Sequence, residues 1–298
     1  MANGIIADRN RVLTAVVDES GWSTAAPASN AQVLPLKLTA RSTVAGTDGS
    51  PTVLRGYFDA RYPITYAGLF KTNLKQSGRY RLRLFSDAAF SDVLFDTRDA
   101  VTGVDRRVMP SLYDWRQLRY AAPNLLRGDL PPEDYALYPS NVHVVVPLVR
   151  AASFQWDIVG SGFDPATGDD VDFNEVGYAW ASDSVQFEIN YAYGGNDGWN
   201  PTDEIKRTPG GGVYVEPGVG YRSSEIPLDY ITKLDGDSLF DLSKRVSWNQ
   251  PVVWLPNVDS AQDLFRYGFI GQRRDSFKKT WKTYQLDGAT IQIEEITT

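Results

Sequence analysis

The sequence predicts a mainly β protein: a jelly-roll or β-sandwich N-terminal domain followed by a second β-rich domain with a short helical element. Apolar and polar residues alternate with period two in several segments, the signature of strands with one buried face. Turn-forming clusters break these segments at short intervals, and the 25 Gly and 17 Pro supply them. Many short strands between Gly/Pro turns favour antiparallel sandwiches over a parallel sheet with crossover helices.

The clearest strand is Arg79-Tyr80-Arg81-Leu82-Arg83-Leu84-Phe85, with arginines on one face and Tyr80, Leu82 and Leu84 on the other. Ser86-Asp87 begin a polar stretch, after which Val93-Leu94-Phe95 can return as its partner. Val142, Val144 and Val146 alternate in the same way, as do Val185, Phe187, Ile189 and Tyr191. The last strand, Thr290 to Ile296, points Ile291 and Ile293 inward. Turns are marked by Asp48-Gly49-Ser50-Pro51, Asp164-Pro165, Gly194-Gly195-Asn196-Asp197-Gly198 and Pro209-Gly210-Gly211-Gly212.

Helical spacing is best at about 237–246, where Asp237 can cap and Leu239, Leu242 and Val246 share a face. Leu228, Ile231 and Leu234 form a weaker helical pattern, broken by Asp235-Gly236, and Ser111 to Tyr120 a third. The Gly-rich stretch after residue 190 suggests a joint, giving domains 1–190 and 191–298.

Composition excludes several function classes. The chain has 298 residues, 42% hydrophobic, long enough for sizeable cores without staples. A net charge of −7 argues against a nucleic-acid backbone partner, which needs a basic surface. With no cysteine there is no disulfide, thiolate metal site or cysteine nucleophile. No apolar run approaches the ~18 residues of a membrane span, and the first residues lack a signal-peptide pattern.

Candidate chemistry is sparse. The single histidine, His143, lies in an alternating strand, and no Gly-x-Ser-x-Gly elbow supplies a serine for a triad. No phosphate loop occurs, and Gly210-Gly211-Gly212 leads into Val213-Tyr214-Val215, a hairpin pattern. The expectation is therefore no catalytic residue and no cofactor, hence not an enzyme. Asp164, Asp169, Asp170 and Asp172 form an acidic loop that suits calcium, although without EF-hand spacing. Solvated acidic turns are the plainer reading. Arg79, Arg81 and Arg83 could grip an anion or an acidic subunit, or simply solvate a strand face. Trp22, Trp199 and Tyr221 are candidates for stacking on a sugar or anchoring an interface.

Two stretches resemble a family of tailed-phage virion structural proteins. The first runs through Ala40-Arg41-Ser42, Phe58-Asp59-Ala60-Arg61-Tyr62-Pro63-Ile64 and Gly68-Leu69-Phe70-Lys71-Thr72-Asn73-Leu74, then Gly78 to Ala89 and Val93-Leu94-Phe95-Asp96-Thr97. The second joins Arg207 to Tyr214, Tyr221-Arg222, Leu239 to Arg245, Pro251 to Asn257 and Ile291 to Ile296. Thr72, just before Asn73, stands where the family often has His, and about 99–140 reads as an insertion rich in aromatics and prolines. The first stretch is also similar to galactose-binding-like, discoidin-type jelly rolls.

The resemblance implies a structural component of a tail tip or baseplate, acting through subunit interfaces with other tail proteins. It implies a homo-oligomer in a symmetric assembly, located in the virion tail and assembled in the host cytoplasm. A discoidin-type scaffold serves sugar binding as well as assembly. Two alternatives therefore stand beside it: a carbohydrate-binding module that contacts host surface glycan, and a glycan-degrading tail enzyme.

Overall fold

The structure is a computed structural model that describes residues 4–110, 140–164, 169–186, 195–207, 211–216, 218–275, 278–283 and 286–297. It is mainly β, with antiparallel sheets throughout, as the sequence predicts. The chain divides into two compact units that are interleaved along the sequence. The larger comprises Arg9–Ser184 and Ser260–Arg266; the smaller comprises Met1–Asp8, Val185–Asp259 and Tyr267–Thr298. Where the sequence suggests one boundary near 190, contacts change hands at Ser184/Val185. The strand Ile5–Ala7 joins the C-terminal unit because it pairs with Pro251–Leu255.

The larger unit is organised by two long antiparallel strands, Thr52–Thr72 and Ser140–Val159. Their ladder slips between Tyr57 and Tyr62 and again between Ile64 and Tyr66. Pro147 lies in the second irregularity, between the paired residues Val145 and Val149. Proline cannot donate to a ladder, so a bulge is where a strand tolerates it. Each bulge bends the sheet and resets which face looks inward.

Beyond the bulges the two halves recruit different neighbours. Arg79–Phe85 extends the half around Thr52–Tyr57, and Glu175–Ser182 extends the half around Tyr66–Thr72. Leu54, Trp156, Ile158, Tyr80, Leu82 and Leu84 from one half share a core with Leu69, Val142, Val144, Val176 and Ala181 from the other. One bent sheet thus encloses its own core, the sandwich logic that buries one face of every strand. Arg79–Phe85 pairs with Val93–Asp96 as its alternation predicts.

The smaller unit is a sheet covered by one helix. Tyr221–Thr232, Leu286–Glu295, Phe269–Arg273 and Pro251–Leu255 are its central strands. Ile291 and Ile293 are fully buried, as the alternation predicts. Leu239 and Leu242 of the helix Lys233–Arg245, with Val246 just past its end, pack against Ile226, Leu228, Ile231 and Ile291.

Two helical expectations are corrected here. The helix starts at Lys233, not near Asp237, because Thr232 is its N-cap and accepts from the Asp235 amide at 3.2 Å. Gly236, which reads as a breaker, lies inside the first turn. A Cβ there would come within 2.6 Å of the Asp287 carboxylate, so a close approach favours glycine over any larger residue. Leu228 and Ile231 are strand residues. A register shift between them adds a residue, so the bulge turns a two-residue period into a three-residue one that mimics a helix. The third helical pattern, at 111–120, and Phe187, Ile189 and Tyr191 lie outside the described residues.

Candidate functional site

The outer face of the larger unit's sheet carries a polar ladder directly behind its core. Across three strands, Arg55 stands opposite Gln155 and Gln155 opposite Arg83. The same pleat that buries Leu54, Trp156 and Leu82 turns these side chains outward. Arg83 pairs with Asp157 at 2.6 Å, Arg81 with Asp96 at 2.5 Å and Arg79 with Asp48 at 2.7 Å. Gln155 donates to Asp157 at 2.6 Å. The predicted arginine row therefore exists, but each arginine faces an aspartate of the same chain. That answers much of its charge and weakens the case for an external anion.

One end of the ladder opens into a cleft of about 600 Å³. Asp18, Ser20 and Gly21 form one wall, in the turn that follows Val16–Val17. Thr43, Thr47, Ser50 and Pro51 form another, from the loop that leads into Thr52–Thr72. Arg55 and Gln155 are the long polar side chains on its sheet side. Asp18 and Arg55 are 2.6 Å apart, and the Ser20 amide donates to the other Asp18 oxygen at 2.9 Å. The Ser20 hydrogen bonds, with help from Arg55, hold the Asp18 carboxyl below the usual carboxylate range.

An aromatic ring sits beside this ion pair. Phe90 has a left-handed backbone (φ 60°), a costly conformation for a bulky residue. Its ring meets Phe85 edge-on at 5.5 Å, and the Arg55 guanidinium lies 5.3 Å from its centroid. The loop that carries it is pinned by Ser153, whose hydroxyl donates to the Asp87 carbonyl at 2.6 Å. The arrangement offers a carboxylate, a guanidinium, an amide and several hydroxyls, with an aromatic ring next to the guanidinium. Such a set can donate to and accept from a polyol.

The other sequence candidates are dispersed. Trp22 is buried, and its indole N–H donates to the Val53 carbonyl at 2.9 Å, so it is a core residue and not a stacking platform. Trp199 is 58% exposed on the strand Asn196–Asn200 of the smaller unit. Tyr221 lies on the adjacent strand, opposite Asn200, and Trp199 stands opposite Arg222. Adjacent residues of a strand point to opposite faces, so Trp199 and Tyr221 do not form one platform.

Asp164 and Asp169 are linked by a backbone hydrogen bond of 2.9 Å, Asp170 pairs with Lys75, and Asp172 is exposed. Among the described residues no group of three or more His, Asp or Glu is placed to hold a metal. Residues 165–168 of this loop, and most of the stretch from 99 to 140, lie outside the described residues. No helix among the described residues is long and apolar enough to cross a membrane.

Sequence reasoning missed Asp18, Arg55, Gln155 and Phe90 as a group. The local signal for Asp18 was Asp-x-Ser, the side-chain-to-backbone turn it forms with Ser20. Nothing in sequence placed Gln155 beside Arg55, because that pairing spans the long ladder.

No protein-family model matches the chain, and no curated protein matches it. Among solved structures it is similar to the lectin-binding domain of lectinolysin (a His 62 mutant complexed with Lewis b), at 7% identity. That match covers 60% of this chain and 99% of the other, with a TM-score of 0.36. It is also similar to CBM32-3 from a family 31 glycoside hydrolase of Clostridium perfringens, at 8% identity, over 58% of this chain and 96% of the other, with a TM-score of 0.34. At such TM-scores neither likeness bears on ligand or ancestry.

Proposed function

We propose that the larger unit is a galactose-binding-like, discoidin-type recognition module that holds a neutral carbohydrate, without turnover, in the cleft beside Arg55. The observation that carries this reading is the Asp18–Arg55 pair on the cleft wall, 2.6 Å apart and next to the Phe90 ring. A paired carboxylate and guanidinium present acceptors and donors with no net charge, which suits sugar hydroxyls better than an acidic ligand. The cleft volume of about 600 Å³ lies in the usual range for small-ligand sites.

The test is a nuclear magnetic resonance titration of the full chain with a panel of neutral mono- and oligosaccharides. Saturable shifts for at least one of them, lost in Arg55→Ala and in Asp18→Ala, support the reading. Absence of any saturable shift, or binding indifferent to both substitutions, removes it. Release of new reducing ends from an oligosaccharide would instead make the protein a glycan-degrading enzyme.

A second reading is assembly through subunit interfaces, of the kind a phage tail tip or baseplate uses; what supports an interface is the exposed apolar side chains of Ile205, Val213 and Val215. Exposed apolar patches mark interaction surfaces. Reconstruction of a particle carrying the protein would locate it in the tail or exclude it.

A further inference from the structure

The strand Glu204–Arg207 pairs with Val213–Glu216 in a two-stranded antiparallel ribbon. The register sets Ile205 opposite Val215 and Arg207 opposite Val213 on one face. The other face holds Glu204 opposite Glu216 and Lys206 opposite Tyr214. That second face is satisfied internally, since Lys206 reaches Glu216 at 2.7 Å and Glu204 at 3.1 Å. The first face is open, with Ile205, Val213 and Val215 exposed at 66%, 61% and 48%. A ribbon of two strands with an open apolar face is marginal in water. Among the described residues, Glu204–Arg207 has a strand partner on one side only.

The free edge reads Asp203-Glu204-Ile205-Lys206-Arg207, a sequence whose charges reverse about Ile205. Antiparallel pairing with the same strand of a second copy, centred on Ile205, sets Asp203 against Arg207 and Glu204 against Lys206. Ile205 then meets its own counterpart. The two-fold axis repeats every one of these contacts, as an isologous interface requires. Sliding the register by two residues sets Glu204 against Glu204 or Lys206 against Lys206. Sliding it by one puts Ile205 against a charge. Opposite charges directly across a ladder stabilise it and like charges destabilise it, so one register is selected.

We propose that the edge Asp203–Arg207 is a self-recognition surface through which two copies of this chain pair antiparallel. The two ribbons then form a four-stranded sheet in which Val215, Ile205 and their counterparts make one continuous apolar row. This rests on no part of the glycan reading and holds whether or not the protein belongs to a tail.

Sedimentation velocity of the full chain over a concentration series tests it. The wild-type chain is expected to self-associate, and Lys206→Glu to raise the dissociation constant at least about tenfold. Combining Lys206→Glu with Glu204→Lys is expected to restore association. The swap keeps the charge reversal about Ile205, and the introduced lysine faces Glu216 within the hairpin. A wild-type chain that stays monomeric at the highest concentration overturns the proposal, whatever other protein it then binds. So does a Lys206→Glu chain that associates as tightly as the wild type, or a swapped chain that fails to regain association.

Discussion

The Tyr66 hydroxyl lies 2.8 Å from His143 Nδ1, and both side chains are buried. Burial pushes the Tyr66 phenol well above its ordinary pKa, so the hydroxyl keeps its proton. The one histidine of the chain is thus committed to a structural hydrogen bond, in a cluster with Phe70 at 5.5 Å. Tyr66→Phe is expected to cost about 1–3 kcal/mol in chemical denaturation, since it removes the hydroxyl partner of a buried ring nitrogen. A raised folded pKa contributes stability below the ordinary value of 10.0 that is lost as the pH rises above it. The Tyr66→Phe chain should therefore lose less stability on going to alkaline pH than the wild type.

Acid should act through the carboxylates of the polar ladder. Asp18 is held low by Ser20 and Arg55. At Asp96 burial raises the pKa, but hydrogen bonds from Arg81 and the Arg98 amide outweigh it and leave the group low. A depressed folded pKa contributes stability that is present above the ordinary value of 3.8 and is lost as the pH falls through the folded value. Denaturation midpoints should fall below that value, and Asp18→Asn and Asp96→Asn should each make the fall shallower. Equal slopes in wild type and variants would show that these two pairs do not couple to folding.

Two tryptophans that look alike in sequence should behave oppositely. Trp22 is 5% exposed and tied to Val53, whereas Trp199 is 58% exposed. Trp22→Ala is expected to destabilise the larger unit by about 3–5 kcal/mol, the usual cost of deleting a buried aromatic. Trp199→Ala should stay within about 0.5 kcal/mol, as surface changes do. Thermal unfolding of the two variants checks the contrast.

The smaller unit has a partly buried ion pair of its own. Arg222 and Glu295 form a two-pronged contact with side chains 12% and 10% exposed, and Arg222 also donates to the Gly268 carbonyl at 3.1 Å. Removing one partner strands the other charge, so Glu295→Ala is expected to cost about 3 kcal/mol. The double variant Arg222→Met with Glu295→Leu should recover much of that loss. A double variant as unstable as the single one would mean that the pair contributes net stability in its own right.

Element type was largely legible because local alternation reports a half-buried strand directly. Arg79–Phe85 and its partner Val93–Asp96 follow from their own residues. Legibility failed where tertiary contact overrode the local rule. Gly236 sits inside a helix because Asp287 leaves no room for a side chain, and a bulge made Leu228 and Ile231 imitate a helical face. The interleaving of the units was not legible either, since the pairing of Ile5 with Leu255 leaves no mark on either segment alone.

By itself, then, the sequence determined a cysteine-free, single-histidine, mainly β chain, and the charge reversal of Asp203 to Arg207 stands in it in full. These are local properties, set by residue type and spacing. Only the tertiary structure decided that Trp22 is core, that each arginine of the row meets an aspartate, and that Asp18, Arg55 and Gln155 line one cleft with the Phe90 ring beside Arg55. The physical reason is register: contacts such as Arg55 with Gln155 span a hundred residues, and the bulges of the long ladder, not any local pattern, set which side chains share a face.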